Sequence, residues 1–289
     1  MTSPTAFTTL IGVDALRSLQ AGPNPPLVLD ASFELGNVAA GEAAYATGHV
    51  PGSRYVHLDR DLCTEKTGQN GRHPLPDRAA FARTAGALGV TPATQVVALD
   101  RNGGMYAARL WWMLRWLGHD AVAVLDGGYK AWVAADGEPS TEPVARLADA
   151  APYPDRPSLV GSIEVDALSR SLGRAMVLDA RSAERFRGEK EPIDPVAGRI
   201  PGAFNRFHAQ NLLPGGLFKP AGVLGEELQA LLGSRQPGEV IHSCGSGVTA
   251  CHNLLAMEHA GLLGSLLYPG SWSEWSADPA RPVTQGKPA

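Results

Sequence analysis

The amino-acid sequence predicts an α/β protein of two tandem domains, each a mainly parallel sheet flanked by helices. Three observations carry this expectation. Short apolar runs alternate with helix-like stretches in both halves, the pattern of strand–helix–strand units. Three segments of the first half recur in the same order in the second: Leu29-Asp30-Ala31 as Leu178-Asp179-Ala180, Gly48-His49-Val50-Pro51-Gly52 as Gly198-Arg199-Ile200-Pro201-Gly202, and Asp126-Gly127-Gly128-Tyr129-Lys130-Ala131-Trp132 as Pro269-Gly270-Ser271-Trp272-Ser273-Glu274-Trp275. Their offsets run from about 143 to 150 residues, as in a duplicated domain whose surface loops changed length while its elements persisted, and unlike a short solenoid repeat. Finally, Gly137 to Pro143 and Pro152 to Pro157 are Pro-rich and aperiodic, the composition of a connector. The expected division is a first domain over 1–138, a linker over 139–158 and a second domain over 159–289.

In chain order, Pro26-Leu27-Val28-Leu29 and Gln95-Val96-Val97-Ala98-Leu99 read as short buried strands, and Tyr106 to Leu117 as a helix. Trp111, Trp112 and Trp116 on that helix read as packing. In the second half Glu239-Val240-Ile241 ends a buried strand, and apolar residues recur at helical spacing from Val248 towards His259, with a stop at Gly261. Cys244 lies between these two runs and is expected to open the helix. Glycines at 245 and 247 would let successive N–H groups curl into an anion-binding nest at the positive end of the helix. A thiolate or persulfide is such an anion, and that surrounding lowers a cysteine pKa from about 8.5. Sites in parallel α/β sheets lie beyond the carboxyl ends of strands, where Cys244 stands. Its first-half counterpart is Asp100, followed by Arg101-Asn102-Gly103-Gly104 and a helix. A carboxylate carries no transferable sulfur, so the first loop is expected to be catalytically silent.

Other chemistries fit Cys244 less well. A small buried hydrophobe is the commonest use of a free cysteine, but a glycine-flanked turn is seldom needed for packing. Zinc would draw on His242, Cys251 and His252, yet six residues separate Cys244 from Cys251 and no second close pair exists. A Cys-x5-Arg phosphatase needs an arginine where Ala250 stands. Across all 289 residues, 44% hydrophobic and 19% charged residues are ordinary globular composition. A net charge of −4 gives no basic footprint for nucleic acid. No apolar run reaches the length of a membrane span, and Met1 to Phe7 has no leader-like pattern, so a cytoplasmic protein without membrane contact is expected. Three cysteines, Cys63, Cys244 and Cys251, suit a reducing compartment rather than a disulfide framework, and Cys251 reads as buried packing.

With Cys244-Gly245-Ser246-Gly247-Val248-Thr249, Leu178-Asp179-Ala180-Arg181, Arg185-Phe186-Arg187-Gly188, the two Gly-x-[Ile/Val]-Pro-Gly segments and Trp111-Trp112-Met113-Leu114-Arg115 in this order, nearly the whole chain resembles the tandem-domain sulfurtransferases of the rhodanese superfamily. The loop is similar to that of 3-mercaptopyruvate sulfurtransferases, whereas thiosulfate-using rhodaneses typically carry Cys-Arg-Lys-Gly-Val-Thr. The resemblance implies two rhodanese-like domains, the second catalytic. It implies a small-molecule donor, 3-mercaptopyruvate, a Cys244 persulfide, and a thiol, thioredoxin or cyanide acceptor, with no cofactor and no metal. The runners-up are a thiosulfate sulfurtransferase of the same fold and a non-enzymatic persulfide carrier or regulatory module.

Position by position, the resemblance implies a relay of Ser246, His73 in Arg72-His73-Pro74-Leu75-Pro76, and Asp59 in His57-Leu58-Asp59. Histidine moves protons near neutral pH, as the substrate thiol and the enolate require. Gly245, Gly247, Val248 and Thr249 would line the anion nest. Arg187 matches the keto-acid arginine, whose planar guanidinium grips a carboxylate through two parallel bonds. Arg181 is expected to pair with Asp179 or another nearby acid. One departure stands out: many mercaptopyruvate enzymes place a second arginine after Glu-Pro, and here Ile193 follows Glu191-Pro192. Arg199, in place of the usual histidine of its segment, is the candidate for that missing charge.

Overall fold

The structure is a computed structural model that describes residues 6–287. Residues 1–5 of the amino-terminal stretch read for a leader lie outside the described residues. The chain divides into two compact units: one takes Met1–Cys63, Pro76–Leu159 and Gly215–Leu217, the other Thr64–Leu75, Val160–Pro214 and Phe218–Ala289. A twelve-residue segment of the first half, 64–75, is thus part of the second unit.

The first unit contains β1 (Leu10–Ile11), α1 (Val13–Gln20), β2 (Leu27–Asp30), α2 (Ala40–Thr47), β3 (Arg54–Tyr55), α3 (Leu58–Asp61), α4 (Arg78–Ala87), β4 (Val96–Leu99), α5 (Met105–Trp116), β5 (Val122–Leu125) and α6 (Gly128–Ala134). Its five strands are parallel in the order β1-β5-β4-β2-β3. All four residues of β4 and of β5 are buried, the near-continuous apolar run of strands covered on both faces. Trp111 and Trp112 of α5 are fully buried packing, and Trp116 stacks on Trp112 with ring centroids 6.0 Å apart. The Pro-rich stretch is strapped onto this unit: His49 and Ser140 form an antiparallel bridge, Arg146 pairs with Asp61 at 2.6 Å, and Tyr153 donates its N–H to the Ala82 carbonyl.

The second unit contains β6 (Gly161–Ser162), α7 (Val165–Ser171), β7 (Met176–Asp179), α8 (Ala183–Arg187), β8 (Phe204–Asn205), α9 (Ala221–Leu232), β9 (Val240–Ser243), α10 (Ala250–His259), β10 (Leu266–Leu267) and α11 (Ser271–Trp275). Its parallel sheet has the order β6-β10-β9-β7-β8, the same arrangement strand for strand as the first. Val177, Phe186, Ile200, Ile241, Tyr268, Trp272 and Trp275 form a buried core on one side of it. β4 and β9 are the middle strands of their sheets, so Asp100 and Cys244 follow equivalent strands.

The helix after Cys244 begins later than the sequence suggests. α10 starts at Ala250 with Thr249 as its N-cap, so Cys244 follows the strand and opens a six-residue loop rather than the helix itself. The stop is where expected: Gly261 takes φ +79°, a left-handed conformation that glycine adopts without steric cost. No helix among the described residues is long and apolar enough to cross a membrane.

Candidate active site

β9 delivers Cys244 into the second unit almost completely buried, 1% exposed. The loop then turns back on itself, and the Ser246 N–H donates to Cys244 Sγ at 3.4 Å. Gly247 makes this turn with φ +75°, and a Cβ there would stand 2.2 Å from the Pro269 carbonyl oxygen, so both conformation and space require glycine. Gly245 meets no such demand. Its backbone is not left-handed; a Cβ would lie 2.9 Å from Arg72 Nη2 and 3.6 Å from both terminal nitrogens of Arg185. Two guanidinium groups therefore stand against this residue. Val248 is buried, and Thr249 caps the helix.

The turn before α11 holds the loop from the other side. Trp272 N–H donates to the Cys244 carbonyl at 3.0 Å, and Ser273 N–H to the Gly245 carbonyl at 2.9 Å. Ser271, fully buried and at φ +53°, accepts the Cys244 N–H on its hydroxyl at 3.0 Å and donates to the Tyr268 carbonyl at 2.9 Å. A non-glycine residue in that conformation is strained and persists where its surroundings hold it. Sequence reasoning missed Ser271, although the repeat contained the signal. Its counterpart Gly128 has φ +58°, and the Tyr129 N–H bonds to the Asp100 carbonyl as Trp272 bonds to Cys244.

Of the relay expected from the sequence, the structure brings together two members: His73 Nδ1 and Ser246 Oγ share a hydrogen bond at 2.7 Å, with His73 buried. Asp59 belongs to the first unit, on α3.

The arginines sort differently from expectation. Arg187 is not at the loop: it lies at the surface, gripping Glu189 through Nε and Nη2, both at 2.7 Å, and that partner raises its pKa. Two residues back on α8, the opposite side of the helix turn carries Arg185, which binds Glu191 through Nε and Nη2 and Asp194 at 3.0 Å. Arg199 does not supply the charge missing at 193 either. Its guanidinium stacks over Phe186 at 4.7 Å and donates to the Gly286 carbonyl, fastening the late segment in which Thr284 forms an isolated antiparallel bridge with its backbone. Burial lowers its pKa. The second cation at the loop is Arg72, which pairs with Asp194. Arg181 is buried against Asp179 at 2.7 Å and Glu191 at 3.4 Å. Burial works against its charge, but Asp179, Glu191 and the nearby Cys244 sulfur outweigh it and raise the guanidinium further. Burial likewise opposes ionisation of Glu191, yet the Arg185 bonds and the backbone N–H groups of Ile193 and Asp194 hold its carboxyl below the ordinary range. For Asp194, burial wins and raises the carboxyl despite Arg72 and Arg185.

Cys251 packs under the loop, its thiol donating to the Gly247 carbonyl at 3.3 Å, and His242 is fully buried with Nε2 3.1 Å from Met257 Sδ. His252 stacks on Phe218 with centroids 4.5 Å apart. These side chains thus have separate packing partners.

In the first unit the equivalent loop is filled by its own side chain. The Asp100 carboxylate accepts N–H groups from Asn102, Gly104, Tyr106 and Ala107 at 2.8–2.9 Å. The nest forms, with a fixed carboxylate as its anion.

Comparison with known proteins agrees with this geometry. The rhodanese-like domain family matches residues 13–135 and 164–278. The "Probable 3-mercaptopyruvate sulfurtransferase" of Pseudomonas aeruginosa is 46% identical over 267 residues, 90% of this chain and 92% of that protein. The "Putative thiosulfate sulfurtransferase SseB" of Mycobacterium tuberculosis is 39% identical over 93% of each chain. The solved 3-mercaptopyruvate sulfurtransferase from Leishmania major superimposes with a TM-score of 0.79 at 30% identity, covering 93% of this chain and 74% of that one. With two copies of one parallel sheet, a buried cysteine after the middle strand of the second, and these relatives along nearly its full length, the chain belongs to the rhodanese family as a two-domain sulfurtransferase.

Proposed function

We propose that the chain transfers sulfur from 3-mercaptopyruvate to a thiol acceptor through a persulfide on Cys244. The observation that carries this reading is the loop itself: a cysteine sulfur receiving the Ser246 N–H, in a loop without a cation of its own, beside the guanidinium of Arg185. The Cys244 thiolate attacks the donor sulfur, the carbon–sulfur bond breaks, and its electron pair leaves on carbon as the pyruvate enolate. The proton from the donor thiol ends on that carbon, leaving Cys244 persulfide and pyruvate. His73, bonded to Ser246, is the group suited to move this proton, with Asp59 the expected third member of the relay. An acceptor thiolate, of a small thiol or thioredoxin, or cyanide, then takes the outer sulfur and frees Cys244, a covalent two-step cycle.

Arg185 takes the role that the sequence assigned to Arg187, holding the donor carboxylate. Because Asp100 already occupies its own nest, the first domain is silent in this cycle. A reducing cytoplasmic setting suits three cysteines that form no disulfide. Thiosulfate is the second reading, favoured by the two guanidinium groups at Gly245 and by the name of the mycobacterial relative. The test is kcat/KM for 3-mercaptopyruvate and for thiosulfate on one wild-type preparation, with Cys244→Ser as blank. A preference for 3-mercaptopyruvate that vanishes in the variant is expected; activity surviving in Cys244→Ser would sink the persulfide mechanism, and a preference for thiosulfate would sink the donor assignment.

A further inference from the structure

The segment Glu191-Pro192-Ile193-Asp194 brings no cation to the loop; it brings a carboxylate. Ile193 turns outward, 41% exposed, and Asp194 turns inward, its side chain 4% exposed. The Asp194 N–H donates to Glu191 Oε1 at 3.1 Å, which closes the turn and fixes where the side chain points. Asp194 Oδ1 then accepts from Arg72 Nη1, and Oδ2 from Arg185 Nη2 at 3.0 Å. Arg72 arrives from segment 64–75, its backbone N–H held by Ser273 Oγ at 2.9 Å. Asp194 is thus the acid that bonds both guanidinium groups standing at Gly245.

Two guanidinium groups at one loop residue favour a donor with two negative charges, and thiosulfate is such a donor. Asp194 changes that balance. Arg72, Arg181 and Arg185 face Asp179, Glu191 and Asp194, so these buried side chains cancel charge for charge. A donor charge beside Gly245 is drawn by the guanidinium groups and repelled by the Asp194 carboxylate behind them. The repulsion acts once on the single charge of a keto-acid carboxylate and twice on thiosulfate. For unit charges several ångströms apart in a partly buried site, that difference corresponds to about 10- to 100-fold in relative affinity.

We infer that Asp194 is a specificity-determining residue: by neutralising one charge of the guanidinium pair at Gly245, it fits the site to a monoanionic keto-acid donor and disfavours dianionic thiosulfate. The inference rests on the 3-mercaptopyruvate reading above and names what sets donor choice at that same site. Asp194 acts through Arg72 and Arg185, and it makes the charge of segment 191–194 a determinant of the donor alongside the neutral Gly245-Ser246 pair.

The experiment measures kcat/KM for 3-mercaptopyruvate and for thiosulfate, with cyanide as acceptor, on wild type, Asp194→Asn and Asp194→Glu. Asparagine keeps the volume and one oxygen acceptor but removes the charge. In Asp194→Asn the ratio of 3-mercaptopyruvate to thiosulfate should fall about 10- to 100-fold, with kcat/KM for thiosulfate rising in absolute terms. Damage to the fold lowers both donors and cannot produce that rise. Asp194→Glu keeps the charge and should hold the ratio within about threefold of wild type, whatever happens to the two rates. An unchanged ratio in Asp194→Asn, no rise on thiosulfate, or the same shift in Asp194→Glu overturns the inference. If Asp194→Asn does not fold, competitive inhibition of wild type decides: pyruvate, with one charge, should bind at least as tightly as oxalate, with two, and tighter binding of oxalate overturns the inference. Wild type that fails to use 3-mercaptopyruvate above the Cys244→Ser blank instead removes the parent reading, which separates the two failures.

Discussion

Arg185 and Arg187 share the five-residue helix α8 and have opposite fates. Arg185 is mostly buried, its side chain 16% exposed, and bonded to two acids, Glu191 and Asp194, at the Cys244 loop, while Arg187 pairs with Glu189 at the surface. An exposed ion pair contributes little, whereas a guanidinium held by buried carboxylates is rigid in position. Arg185→Ala should therefore raise KM for 3-mercaptopyruvate by about tenfold or more, and Arg187→Ala should leave it within about twofold. Steady-state kinetics on both variants checks this, and the reverse ranking would restore Arg187 to the site. The motif Arg185-Phe186-Arg187-Gly188 did not reveal which arginine turns inward, because both residues fit the spacing and only the packing of Phe186 into the core fixes the helix face. The glycines are a similar case. Position 247 needs glycine for its left-handed backbone, whereas at 245 the neighbours are the ends of two arginines from distant parts of the chain, which local sequence does not show.

At the scale of elements, the strands were legible because burial on both faces leaves an apolar run: Val96–Leu99 lies where the sequence puts it, while β9 starts at Val240 and runs two residues past the expected end at Ile241, through the polar His242 and Ser243. Helix α5 was legible within a residue, whereas the start of α10 was not, since Val248 continues the apolar pattern while still in the loop. β9 also carries a titratable residue through the core. Burial pushes His242 from 6.5 down to about 3, so the folded protein keeps it neutral. Above pH 6.5 neither folded nor unfolded chain protonates it; as pH falls from 6.5 toward 3 the unfolded chain binds a proton that the fold refuses, and stability declines. His242→Leu should consequently show a shallower loss of stability than wild type between pH 6.5 and 4, by a slope of up to about one proton. Urea unfolding midpoints at a series of pH values measure that slope, and identical slopes would contradict the assignment.

The whole molecule repeats one sheet order twice and diverges at one loop position. Both sheets run first, fifth, fourth, second, third strand, and both carry a loop after the middle strand that turns backbone N–H toward the residue that opens it, four groups onto Asp100 and that of Ser246 onto Cys244. In the second copy that residue is a cysteine; in the first, four N–H groups close on the Asp100 carboxylate. The first copy thus uses the nest for stability. Removing the carboxylate leaves several buried N–H groups without an acceptor, at about 1–3 kcal/mol each and with less than full additivity. Asp100→Ala should therefore destabilise the chain by about 3 kcal/mol or more. Asp100→Asn, which keeps one carbonyl oxygen as acceptor and adds an NH₂ facing N–H donors, should recover little of this. Calorimetric unfolding of the three proteins is the measurement. A fall in Tm for both variants means that the carboxylate holds its domain together, whereas unchanged unfolding would mean that the loop finds water or another acceptor in its place.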